Sequence, residues 1–340
     1  MTRRSRRPIA LCAAIPAAVA LLTGCVGPSP GEPLPPSPTQ TAIPLGYAPL
    51  RGTPVDSGSN DHPSLAAKID NHPAARPQFG LEETDIVFEE LVEGGLTRYV
   101  ALWHSSIPET VGPVRSIRPM DPEILSPMGG IVAYSGGQPR FVEAMQDTPV
   151  FNAIHEHPDT ADTFRRLAER SAPHNVVVDA RDLVAKHDEL DPPDPQFVYA
   201  TDAASPSADD GAPASGVVTV FSPSSSASWA FDPAREAYLR SQNGVPDLDA
   251  TGRQLGATNV VALQVRVDQS TDVPRTELLG TGSAWALTDG RVVEATWSKT
   301  HAEAPLRLTA DSGASIRLAP GNTWVELVPA GTGAVRVVSG

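Results

Sequence analysis

Asp85 to Ser105 reads DIVFEELVEGGLTRYVALWHS. Two runs rich in β-branched and aromatic residues flank Glu93-Gly94-Gly95-Leu96, a pattern that predicts a β-hairpin. Upstream, SLAAKID (64–70) predicts a short strand. Downstream, GGIVAYSGG (129–137) reads as an apolar strand closed by glycines, and PHNVVVDA (173–180) as another strand. Between and after them, QPRFVEAMQD (138–147), TADTFRRLAERS (160–171) and ARDLVAKHDEL (180–190) repeat Leu, Phe and Ala at spacings of three and four, which predicts helices. Strands interleaved with helices predict a mixed α/β sandwich domain over residues 47–199.

Beyond it, ATDAASPSADDGAPASG (200–216) is poor in large apolar residues and is expected to be a flexible linker. Residues 217–340 carry short β-rich runs, among them VVTVFSP, NVVALQVRVD, RVVEATWSK and NTWVELVPA, separated by Gly, Pro, Asp and Asn. They predict a smaller β-rich domain, a sheet or barrel, with one helix or irregular arm at DPAREAYLRSQNG (232–244). The fold class is therefore α+β or α/β. Trp229, Trp285, Trp297 and Trp324 are expected in the core or at strand edges.

The 340 residues suit two domains, and 40% hydrophobic with 19% charged residues allows a real core. A net charge of −14 argues against a nucleic-acid partner. At the start, four arginines (3, 4, 6 and 7) precede the apolar run IALCAAIPAAVALL, as in a signal peptide (1–24). Leu22-Thr23-Gly24-Cys25 resembles a bacterial lipobox. That resemblance implies cleavage before Cys25, a lipid on its thiol and a membrane partner. Loss of those four arginines takes the charge from −14 to −18 and removes Cys12. Cys25 is then the one remaining cysteine, so neither an internal disulfide nor a cysteine nucleophile is expected. A Pro/Ser-rich tether follows (25–46), reaching about 3 Å per residue where it is polyproline-like.

The residue types able to do chemistry centre on GPVRSIRPMD (112–121). Arg115 and Arg118, with Arg98 on the second hairpin strand, offer planar forks of donors suited to carboxylate or phosphate. Ser135, Gly136 and Gly137 lie between a strand and a helix start, where backbone N–H groups approach anions. His174 and Asn175 add a donor or base and an amide, and Arg165 or Arg166 could complete the set. These residues form the expected anion site. Ion pairs with Glu89, Glu90 or Glu93 would satisfy the same arginines without a ligand. For an enzyme, Asp85 or Asp121 would hold a divalent cation and His174 would move a proton. His155-Glu156-His157 lacks the spaced partners of a metal site, and no cofactor is expected. Nucleotide-loop, zinc-protease and nucleophile-elbow motifs do not occur.

Several long stretches resemble the YerB-like lipoprotein family, a bacterial family of unknown function. They are RPQFGLEETDIVFEELVEGGLTRYVALWHSSIPETVGPVRSIRPMD, YSGG and APHNVVVDA, then WAFDPAREAYLRSQNG, GTGSAWALTDGRVVEATWSK and PGNTWVELVP. The resemblance implies an exported, lipid-anchored, two-domain protein. It marks Arg98, Arg115, Arg118, His174 and Asn175 as family-pattern positions and gives them no role. The loop Ser116-Ile117-Arg118-Pro119-Met120-Asp121 is also loosely similar to LytR-CpsA-Psr phosphotransferases, with arginine and proline exchanged and one residue inserted. The expected function is a binding or scaffolding module for an anionic envelope polymer or an envelope protein, on the outer face of the cytoplasmic membrane. The alternative is a phosphoryl-transfer or hydrolytic enzyme acting on envelope polymers.

Overall fold

The computed structural model describes residues 45–340 apart from Asp202 and Ala203. The expected signal peptide, Cys25 and nearly all of the tether lie outside the described residues. The elements that position the candidate site are, in chain order, β1 Leu65–Asp70, β2 Ile86–Leu91, β3 Thr97–Trp103, α1 Asp121–Leu125, β4 Ile131–Tyr134, α2 Pro139–Gln146, β5 Phe151–Ile154, β6 Val176–Asp179 and α3 Ala180–Ala185. There follow β7 Ala212–Ser222, β8 Ser225–Asp232, β9 Ala237–Gln242, β10 Asn259–Asp268, β11 Gly280–Thr288, β12 Arg291–Lys299, β13 Thr323–Pro329 and β14 Ala334–Ser339.

The hairpin at 85–105 forms as expected, with Glu89 opposite Tyr99 and Glu90 opposite Arg98. It sits inside one mixed sheet ordered β5-β4-β1-β3-β2-β13-β10-β11-β12. β2 pairs in parallel with β13, from Ile86 opposite Thr323 to Glu90 opposite Leu327. The first half of the sequence is thereby sewn to the last by backbone hydrogen bonds, and residues 43–340 form one compact unit.

One face of this sheet is covered by α1, α2 and the chain near Phe197 and Leu306–Leu318; Phe88, Val100, Leu102, Val261 and Leu327 supply its apolar side. The opposite face, with Val87, Tyr99, Trp103, Val260 and Trp324, is covered by β6, α3 and a second antiparallel sheet ordered β14-β7-β8-β9. Strand side chains alternate between the two faces, so the apolar set divides into two cores.

Three expectations are corrected. The first domain is less helical than an α/β sandwich: α1, α2 and α3 have five, eight and six residues. The stretch 160–171 holds a single 3-10 turn, Ala161–Thr163, and a short strand, Phe164–Arg166, in place of the expected α-helix. It pairs antiparallel with β6, Phe164 opposite Val178, and this tertiary pairing outweighs a local periodicity that five charged side chains left weakly amphipathic. The arm at 232–244 contains β9, whose Tyr238 and Arg240 are buried at period two.

The expected linker also differs. Residues 212–216 begin β7: Ala212 and Pro213 pair with β12, and from Ala214 the strand pairs with β14, with a register shift between Ala214 and Gly216. Ala208 and Ala214 are buried. Small residues let this segment pass close to its neighbours: a Cβ on Gly216 would meet Trp229 O at 2.1 Å.

Candidate functional site

β1, β2, β4 and β5 run in one direction and β3 runs against them. The carboxyl ends of the parallel strands and the start of β3 therefore meet at one edge. Loops beyond such an edge are free of sheet hydrogen bonding and are where ligands usually bind in open sheets. Asp70, His72, Glu93, Arg98 and Ser135-Gly136 are all delivered there.

The arginine-bearing stretch is a wedge in the sheet. β1 and β4 pair only as far as Ala67 and Ala133. Beyond that point residues 113–117 enter between them. Asp70 N donates to Pro113 O (2.9 Å) and Arg115 N to Lys68 O (2.7 Å) on one side. Ser135 N donates to Arg115 O (3.1 Å) and Ile117 N to Gly136 O (2.9 Å) on the other. Gly137 is needed for this approach, since a Cβ there would lie 2.8 Å from Ile117 Cγ2.

The three arginines converge. Arg98 stands in register between Asp70 and Glu90 on the flanking strands, and its Nη1 donates to Ser116 O at 2.8 Å. Arg118 Nη1 donates to Ser116 O (3.2 Å) and Ile117 O (2.9 Å), and its Nε to Glu93 Oε2 (2.8 Å). Arg115 Nε lies 3.3 Å from Asp70 Oδ2. That same oxygen is 2.6 Å from His174 Nδ1, and His72 stacks on His174 with ring centroids 4.3 Å apart. Burial, with Arg118 and Arg115 as like-charged neighbours, lowers the Arg98 pKa to about 10. Glu93 is lowered despite partial burial, because Arg118 hydrogen-bonds to it.

Directly beneath lies a buried ion cluster. Lys68 Nζ bonds Glu90 Oε1 and Asp121 Oδ1, the latter at 2.7 Å, and Asp121 Oδ2 accepts from Arg118 N at 2.6 Å. Burial and the neighbouring Asp121 raise the Glu90 pKa to about 8. Lys68, Arg98, Arg115 and Arg118 thus face the carboxyl groups of Asp70, Glu90, Glu93 and Asp121. Arg115 and His174 keep about a fifth of their side-chain surface exposed, at 23% and 17%.

Of the residues expected from sequence, Arg98, Arg115, Arg118, Ser135, Gly136, Gly137 and His174 come together. Asn175 does not: it is buried, accepts from Arg166 Nη1 (3.0 Å) and donates to Leu167 O and Arg170 O, holding its own loop. Arg165 bonds Thr110 Oγ1 instead. Asp85 sits at the opposite end of β2, accepting from His104 N (2.8 Å) and Ser105 N (2.7 Å) beside Arg51. Glu89 points to the other face, where Arg240 Nη2 donates to it at 2.6 Å. His155 and His157 lie beside Glu156 and Asp159, and no metal-ligand group of three occurs among the described residues.

Sequence reasoning missed Lys68, Asp70 and His72. The available signal was Lys-Ile-Asp within an apolar strand, since period two puts Lys68 and Asp70 on one face. It also missed Arg240, fully buried among Tyr99, Trp229 and Trp324 at 5.4, 5.8 and 5.2 Å from their ring centroids.

Comparison with known proteins places this architecture. Residues 50–192 match the family described as protein of unknown function (DUF3048) N-terminal domain, and residues 217–325 match the DUF3048 C-terminal domain. A Bacillus subtilis protein named "Putative lipoprotein YerB" is 27% identical over 294 residues, covering 83% of this chain and 86% of the relative. The crystal structure of YerB from Bacillus subtilis superposes with a TM-score of 0.72 at 26% identity, over 85% of this chain and 99% of that one. Both family halves, the full-length relative and the shared architecture agree that the chain belongs to the YerB-like, DUF3048 family.

Proposed function

We propose that this chain is a lipid-anchored protein of the cell envelope that binds an anionic, phosphate-like group through Arg98, Arg115 and Arg118. The observation that carries the reading is the meeting of these three guanidinium groups, one with a lowered proton affinity, at a partly open sheet edge. A bound dianion would offset the repulsion among them and restore the proton affinity of Arg98. Inorganic pyrophosphate should raise the melting temperature of the wild type and leave that of Arg115→Gln unmoved. An equal shift in both, or none in either, would refute the anion site.

The envelope location rests on the lipobox-like Leu22-Thr23-Gly24-Cys25 and on the name of the Bacillus subtilis relative. Anchoring at Cys25 would hold the chain on the outer face of the cytoplasmic membrane. Detergent phase partitioning tests it: Cys25→Ala should move the protein to the aqueous phase, and equal partitioning would exclude a lipid on Cys25.

A second reading, a phosphoryl-transfer or hydrolytic enzyme, is favoured by one contact. The Asp70–His174 bond orients the imidazole through Nδ1, and Nε2 has no protein partner among the described residues. A histidine so held can accept a proton from water. Phosphate release from pyrophosphate or a sugar nucleotide, abolished in His174→Gln with binding retained, would establish it.

A further inference from the structure

At the same sheet edge a groove of about 620 Å³ opens on the far side of Glu93. Four turns form it: residues 91–95 at the end of β2, Ser222-Pro223 between β7 and β8, 269–274 after β10, and Thr332 between β13 and β14. Glu93 belongs to both places. It lines the groove, and its Oε2 accepts from Arg118 Nε at 2.8 Å. The groove and the arginines are thus separated by one side chain.

The wall is rich in acceptors. Glu93 and Asp272 contribute carboxylates, and no lysine or arginine lines the groove. Ser222 Oγ donates to Gly95 O (2.6 Å) and accepts from Ser224 N (3.1 Å), and Thr271 Oγ1 donates to Val273 O (2.9 Å), so both hydroxyl hydrogens are committed and the lone pairs that remain can only accept. Gln269 is exposed and adds an amide. The floor is the apolar edge of Leu91, Val92 and Phe221. Such a wall suits a ligand that carries many neutral donors on a carbon chain, and it repels further phosphate.

We infer that the ligand is a phosphorylated polyol: its phosphate sits on Arg98, Arg115 and Arg118, and its hydroxylated chain lies in the groove beside Glu93. This rests on the anion-binding reading and adds the class of molecule that carries the anion.

Calorimetry on the full-length protein in detergent tests it with three probes of similar length: sorbitol 6-phosphate, hexyl phosphate and 6-aminohexyl phosphate. Sorbitol 6-phosphate should bind at least about tenfold more tightly than hexyl phosphate, the gain expected from one or two net hydrogen bonds. Gln269→Leu with Asp272→Asn, both at exposed positions, should remove that preference and leave inorganic phosphate binding unchanged. Equal affinity for sorbitol and hexyl phosphates would overturn the inference while the anion site stands. Tighter binding of the aminohexyl compound would overturn it too, by showing that the groove selects positive charge. If no phosphate compound binds, the anion site and the polyol inference fall together.

Discussion

Arg240 on β9 and Glu89 on β2 form a fully buried ion pair, Nη2 to Oε2 at 2.6 Å. The pair joins residues 151 positions apart in the chain and ties the two DUF3048 segments to each other. Arg240 also bonds Asp247, which accepts from Arg76, so the cluster alternates between the segments. Glu326 lies alongside with its pKa pushed well above the usual carboxylate range by burial and by Glu89. It accepts from Trp229 Nε1 at 2.6 Å.

Arg240→Met should therefore destabilise the whole unit by about 3–5 kcal/mol, because Glu89 and Asp247 are left buried without their cation. Urea unfolding followed by tryptophan fluorescence and by circular dichroism should show one coincident transition in the wild type, since β2 and β13 share a sheet. Two separated transitions would mean that the segments fold independently.

Arg118→Ala should cost far less, about 1–2 kcal/mol. Its carboxylate partner Glu93 is 36% exposed and can be rehydrated, so the loss is that of a half-exposed ion pair and of hydrogen bonds to two carbonyls. A loss of 3 kcal/mol or more in a chemical melt would show that Arg118 is chiefly a structural tie.

Glu93→Gln should tighten pyrophosphate binding several-fold with little change in stability. Glu93 occupies Arg118 Nε as an internal anion would, and the amide competes less well for the guanidinium. Weaker binding in this variant would show that Glu93 orients Arg118 and does not compete with the ligand.

Glu90 makes a pH prediction. Its folded pKa, about 8, lies above the 4.5 ordinary for a solvated glutamate, so between these values the folded state holds a proton that the unfolded state has released. Its contribution to stability is complete below the unfolded value and is lost as pH rises toward 8. Urea midpoints at pH 5, 6.5 and 8 should fall more steeply for the wild type than for Glu90→Gln, which cannot ionise beside Lys68 and Asp121. Parallel profiles would mean that Lys68 keeps Glu90 charged throughout.

The parts whose physics is local can be read from the residues alone. The hairpin around Glu93–Leu96 follows from two β-rich runs and two glycines; Gly94 and Gly95 adopt positive φ of 70° and 71°. The strands at 64–70 and 129–137 follow from short apolar composition. The gathering of Arg98, Arg115, Arg118 and His174 was legible as a set of residue types near a glycine-rich strand end. Their partners were not. Asp70 faces His174 across 104 residues, and Glu89 turns away from the arginines because period-two alternation in β2 assigns Glu89 and Glu90 to opposite faces of the sheet. Which partner each carboxylate meets is settled by packing, because it depends on strands brought together from both ends of the chain. The same cause made two sequence segments into one unit: the parallel pairing of β2 with β13 and the register of β7 are long-range hydrogen-bonding choices, and no local composition encodes them.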